Sequence, residues 1–280
     1  STVLTFTNNG TAALNGTTGS ASFTGLNLPL TQAGGTITYL VDVAFASVGV
    51  GSNDTGGSVT VRLDGLKYLD SAGAVTTTQG LVPTSYTGNA FIDVKGYPTF
   101  TNAALPTTVL AAGTQTLFKT VVSATGGQIG WKGIMFTVAS NSAAGTFGPN
   151  AAGWKLFENG VDITSFSGSS TASVSDIGST TRVEFNFAVE RVVAVGSPIT
   201  LELKTTVGGT LAANDSVTTQ ITNPKGSTIT TLSSTVQNAL STPASFVWSD
   251  QSAPSHSTST DDWFTDGLVK TLAESQALTK

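Results

Sequence analysis

The chain has 280 residues, 39% of them hydrophobic and only 10% charged, with 12 Lys+Arg against 17 Asp+Glu for a net charge of -5. A charged fraction well below the roughly 25% of ordinary soluble domains leaves solubility to Thr, Ser, Asn and Gly, the composition of secreted β-proteins. The acidic balance, with Arg62 the first basic residue, excludes a basic footprint for nucleic acid, and the absence of cysteine excludes disulfides and thiolate metal sites.

The length predicts about two domains. No apolar run approaches the roughly 18 residues of a membrane-spanning helix. The chain opens on Ser1 with no charged and apolar leader before it, so a secreted form after signal-peptide removal is expected. Asn9, Asn15, Asn53 and Asn214 open Asn-x-Ser/Thr sequons, which leaves glycosylation open.

In chain order, residues 2–7 (TVLTFT) alternate like a short strand that Asn8-Asn9-Gly10 ends. Residues 22–43 (SFTGLNLPLTQAGGTITYLVDV) read as two strands around a turn, and the same phrase returns later without a gap. Phe23 falls on Phe185, Gly34 on Gly196, Ile37 on Ile199, Thr38 on Thr200 and Val41 on Leu203. Ser58 to Leu63 is the next strand, continuing toward Tyr68, and residues 214–222 take its place in the later copy. Residues 71–96 read as loop and surface strand, with Phe91, Ile92 and Val94 as core contacts. Residues 97–113, with two prolines, read as a semi-rigid linker.

Residues 115–123, 129–138 and 153–158 then supply three strands before the repeated phrase. In that phrase Val183, Phe185, Phe187 and Val189 alternate with polar or small residues. Beyond Gly196-Ser197-Pro198, Ile199, Leu201 and Leu203 do the same. Period two on both sides of a turn predicts a hairpin of half-buried strands. Glu190 and Arg191, both polar and consecutive, predict a bulge. A tight turn would set Arg191 opposite Glu202, and Glu184, Glu190 and Glu202 would be solvated charges on the outer sheet face.

These elements predict an all-β chain of two tandem antiparallel β-sandwiches, Ig-like or jelly-roll-like, with a C-terminal extension. The expected divisions are 1–103, 104–240 and 241–280. Only 22 residues precede Phe23, against about 70 between Gln115 and Phe185, so the first sandwich is expected to lack strands. An unfinished sheet exposes unpaired backbone groups that something must cover. The candidate filler is the segment 246–280, with Phe246, Val247, Trp248, Trp263, Phe264, Leu268, Val269 and Leu272 as subunit-interface candidates. Val3, Leu4 and Phe6 of the first strand form a second candidate donor. Packing of the tail on its own domain is the plain alternative.

The stretches LPTTVLAAGTQTLFKTVVSATGGQIGWKGIMFTV, VAVGSPITLELKTTV and above all FVWSDQSAPSHSTSTDDWFTDGLVKTL resemble the surface-exposed β-sandwich repeat proteins of candidate phyla radiation (Patescibacteria) bacteria. The resemblance covers roughly residues 97–280 well and 20–70 more loosely. It implies a cell-surface or extracellular location and no catalytic residues.

For enzymes the inventory is thin. His256 is the sole histidine, no G-x-S-x-G elbow occurs, and Ser255, His256 and Asp250 are too close in sequence to come from the separate elements a triad needs. No enzyme, no catalytic or cofactor-binding residue and no cofactor is therefore expected. Asp261, Asp262 and Asp266 before Gly267 are weak candidate Ca2+ ligands, at a spacing that departs from D-x-D-x-D-G and fits turn residues better. Trp131, Trp154, Trp263, Tyr86 and Tyr97 are the rings available for stacking on sugars. The function expected is a structural subunit of an extracellular filament or S-layer-like surface array. Copies of the chain would be its partners, by donor-strand complementation. The alternative is a surface adhesin or carbohydrate-binding protein with glycan partners.

Overall fold

The computed structural model describes residues 48, 55, 58–62, 67–69, 72–77, 87–142, 145–147, 153–164, 171–177, 180–221, 246–260, 262–265 and 274–280. Contacts divide the chain into two compact units, Ser1–Ala44 and Phe45–Lys280. The expected division at 103/104 therefore falls inside the second unit. The first unit, with Val3, Leu4, Phe6 and the earlier copy of the repeated phrase, lies outside the described residues.

The second unit is built of strands: β1 (Ser58–Arg62), β2 (Lys67–Leu69), β3 (Val75–Thr77), β4 (Thr87–Ile92), β5 (Tyr97–Asn102), β6 (Gly113–Thr125) and β7 (Ile129–Ser140). They are followed by β8 (Gly145–Phe147), β9 (Trp154–Glu158), β10 (Val161–Asp162), β11 (Thr171–Ile177), β12 (Thr180–Val193) and β13 (Ile199–Gly209). The last are β14 (Ser216–Gln220), β15 (Phe246–Ser249), β16 (Trp263–Thr265) and β17 (Gln276–Thr279). All named ladders are antiparallel, in two main sheets and two small ribbons, β1-β4 and β2-β3. One main sheet has the order β10-β9-β13-β6-β5, with β8 also on β13; the other runs β11-β12-β7-β14-β17, with β15 joined to β7 and β16 to β15. The fold is an all-β sandwich.

Alternation decides which side of each strand faces in. On β13 the residues Ile199, Leu201, Leu203, Thr205 and Val207 are buried, while Thr200, Glu202 and Lys204 between them are partly exposed. Their counterparts across the core include Phe136, Val183 and Phe185. Phe118 of β6 meets Phe136 of β7 edge to face at 5.6 Å, joining the two layers. The tight β9-β10 turn is Asn159-Gly160, both at positive φ (50° and 82°). Asn-Gly between two strands is a strong two-residue hairpin signal.

Two sequence expectations are corrected. The later copy of the repeated phrase is not a hairpin, because β12 pairs with β7 in one sheet and β13 with β6 in the other. Between the two strands only the isolated Ala194↔Ser197 bridge forms. The chain instead steps between layers, so Phe187 and Val193 face across the core toward the layer that holds Ile199 and Leu201. Likewise, residues 97–102 are no linker: β5 is an edge strand paired along β6, where the missing Pro98 donor is tolerated.

β7 is the axis of its sheet. Its first eight residues are buried, as expected of a strand covered on both faces. β12 lines one side of it. The other side is shared end to end, by β15 along Gly130–Ile134 and by β14 along Thr137–Ser140. The predicted bulge at Glu190-Arg191 is present. Asn186 pairs with Gly133 and Arg191 with Trp131, so Phe187, Ala188, Val189 and Glu190 stand opposite Lys132 alone.

Candidate functional site

The irregularity in β12 turns Glu190 out of the ladder and over β7. A β-carbon added at Gly130 would fall on the Glu190 carboxylate, so only glycine leaves room for it. The segment between β15 and β16 folds onto this carboxylate and brings His256 with it.

His256 bridges two acids. Its Nε2 lies 2.7 Å from Glu190 Oε2 and its Nδ1 2.8 Å from Asp262 Oδ2. Carboxylate oxygens only accept, so holding both bonds at once requires both ring nitrogens to carry a proton. Burial by itself would lower the His256 pKa. The hydrogen bond to Glu190 and the charges of Asp262 and Glu190 outweigh burial and raise it. Asp262 is fully buried, and burial would raise its pKa; bonds from the Thr260 hydroxyl (2.5 Å), the Ala253 amide (3.2 Å) and His256 hold it lowered.

Further contacts fix the loop. The Gln251 side-chain amide donates to Glu190 Oε1, and Gln128 Nε2 donates to Gln251 Oε1 at 2.6 Å. Asp250, also fully buried, accepts from the Lys95 amide (2.9 Å), the Thr55 hydroxyl (2.5 Å) and Ser252 Oγ (2.7 Å). Trp263 Nε1 donates to Ser257 O at 2.7 Å, and its ring lies 5.5 Å from the His256 ring. Lys132 is almost fully buried; burial lowers its pKa, and the Glu190 charge partly offsets that.

This geometry re-sorts the sequence candidates. Asp250 is no partner of His256, so the structure does not assemble Ser255, His256 and Asp250 into a relay. Both Asp262 oxygens are taken by protein donors, Asp261 and Asp266 lie outside the described residues, and no metal-ligand cluster occurs among the described residues. Glu190 is held rather than solvated. Glu184 is buried and receives the Asn186 amide at 2.7 Å. Glu202 pairs with Lys119 and Lys204, both at 2.9 Å. Arg191 reaches across to the other sheet and grips Glu158 with Nε at 2.7 Å and a second nitrogen at 2.9 Å. The expected Arg191–Glu202 cross-strand pair does not form: β12 and β13 are not ladder partners, Arg191 is held by Glu158, and Glu202 by Lys119 and Lys204.

The rings offered for sugar stacking are core: Trp131, Trp154 and Trp263 are fully buried, Tyr97 is partly buried, and Tyr86 lies outside the described residues. The interface candidates Phe246, Val247, Trp248, Trp263 and Phe264 are buried within their own chain. Phe246 stacks on Trp131 at 5.7 Å and meets Phe100 edge on at 5.0 Å. Leu268, Val269 and Leu272 lie outside the described residues. The three-residue cluster of Glu190, His256 and Asp262 was missed in the sequence because Glu190 is distant in the chain. A lone histidine flanked by serines carries no periodic signal.

No protein-family model matches the chain, and no curated protein matches it. Among solved structures it is similar to the pilus backbone RrgB of Streptococcus pneumoniae, at a TM-score of 0.24 and 9% identity, over 45% of this chain and 30% of that one.

Proposed function

We propose that this chain is a structural subunit of an extracellular filament or surface array, with copies joined by exchange of the C-terminal strand β17. The observation that carries the reading is the way β17 is seated. Four residues long, it pairs with β14 on one side, from Ser216↔Thr279 to Thr219↔Gln276. On the other side the Leu110 amide donates to Thr279 O and the Thr279 amide to Thr108 O, both at 2.9 Å. Gln276 reaches the opposite layer, donating to Ala103 O and accepting from the Lys119 amide, each at 2.7 Å. Leu278 is its one fully buried anchor.

A strand bound on both sides in a slot of fixed register makes the same contacts whether it comes from its own chain or from a neighbour. Repeated head to tail, that exchange gives an open polymer. The sparse charge of the chain favours close packing of copies, and the role involves no catalytic step. It fits the cell-surface location implied by the Patescibacteria-type resemblance.

The chain has no cysteine, so two introduced ones are unambiguous. Ser216→Cys and Thr279→Cys, made in separate copies and mixed, face each other across the ladder only when β17 crosses between copies. Oxidation is expected to give covalent dimers, and negative-stain images of the wild type are expected to show polymers. Mixed copies that stay uncoupled, together with monomers at every concentration, overturn the reading.

A further inference from the structure

We propose that Glu190, His256 and Asp262 form a proton-operated clasp that fastens the segment between β15 and β16 to the sheet, closed when His256 is an imidazolium and released when it is neutral. The inference stands whether or not the chain polymerises. It rests on the two short bonds to opposite ring nitrogens, 2.7 Å and 2.8 Å, both ending on atoms that cannot donate. Loss of one proton leaves a ring lone pair facing a carboxylate oxygen at that distance. One of the two bonds then breaks, and with it the link between β12 and the residues before β16.

The surrounding charges make the imidazolium the balanced state. Facing the ring are Glu190 from β12 and Asp262 from the turn before β16, and Lys132 of β7 lies near enough to Glu190 for their charges to interact. Asp250 is directed elsewhere, toward Lys95 N, Thr55 and Ser252. Lys95 Nζ donates to Gln251 O at 3.1 Å, and Arg191 is occupied by Glu158. Two carboxylates against one imidazolium and one lysine are neutral in sum; deprotonation leaves one negative charge uncompensated in a partly buried place. The surroundings raise the His256 pKa, which extends the closed range upward in pH. Gln251, at the foot of the clasp, takes a positive φ of 50° that a non-glycine residue rarely adopts.

Because His256 is the only histidine, its ring resonances in the full chain give an unambiguous titration by NMR. The expected result is a midpoint above the ordinary value of about 6.5, with both ring nitrogens protonated below it, and a lower midpoint in Glu190→Gln and in Asp262→Asn. Amide exchange of residues 250–260, corrected for its intrinsic pH dependence, should rise at least about tenfold on passing the wild-type midpoint. It should be fast at all pH values in His256→Gln. Where a variant fails to fold, the wild-type midpoint and exchange profile decide alone. A midpoint at or below the ordinary value, or exchange that ignores it, overturns the clasp.

Discussion

Glu184 lies on β12 beneath a surface that excludes water, with the Asn186 amide as its partner. Burial raises its pKa, and the hydrogen bond only partly opposes the shift. An acid with a raised folded pKa binds its proton more tightly when folded, so its ionised form weakens the fold above that value. Glu184→Gln is expected to stabilise the chain by about 1 kcal/mol near neutral pH, with the gap to wild type closing as the acid range is entered; urea denaturation at the two pH values measures it. Gly130→Ala sets a methyl group on the Glu190 carboxylate. It is expected to cost about 1–3 kcal/mol and to move the His256 titration downward, readable in one NMR series. Neither residue stands out in the sequence. Glu184 sits at an apparently solvated position of an alternating strand, and Gly130 in a run that reads simply as a strand.

Strand identities were largely legible. Alternation marked β6, β7, β9, β12, β13 and β14, and the consecutive pair Glu190-Arg191 marked the bulge. Strand partners were not, because alternation specifies which side of a strand is apolar and says nothing of which layer that strand joins. A Gly-Ser-Pro turn serves a hairpin or a step between layers equally well, and only the partners the two strands take, β7 and β6, separate the outcomes. The segment 246–280 shows the same limit: an aromatic run without a counterpart in the repeat looks like a spare part, and its sequence does not reveal that Phe246, Trp248, Phe264 and Leu278 fill the sandwich core. Removal of 246–280 is expected to unfold the second unit. Loss of the cooperative thermal transition and of near-ultraviolet circular dichroism checks this. Truncation of a single buried aromatic already costs about 3–5 kcal/mol.

For the molecule as a whole, two groups of the clasp act on the pH dependence with opposite signs. His256 has a raised folded pKa, so its contribution is complete below the unfolded value and is lost as pH rises through the folded one. Asp262 has a lowered folded pKa; its contribution is present above the unfolded value and is lost as pH falls through the folded one. Thermal stability is therefore expected to be highest between these ranges and to decline on the alkaline side. His256→Gln should flatten the alkaline limb, as differential scanning calorimetry across pH would show. The all-β class was readable from composition and pattern. The cluster that governs this profile was not, because its members are gathered from β12 and from the loop before β16 by a strand pairing that no local pattern encodes.

The placement of β15, β16 and β17 also bears on how the chain is made. Segments far downstream of β7 supply Phe246 and Trp248 beside Trp131, and Leu278 beside Val217. Nascent chains lacking them have a half-built apolar interior and an unmet edge on β7. Such a polypeptide cannot complete its fold from the N-terminus onward during synthesis. It stays available to holding factors, and to passage through a narrow translocation channel, until β15 and β17 have been added.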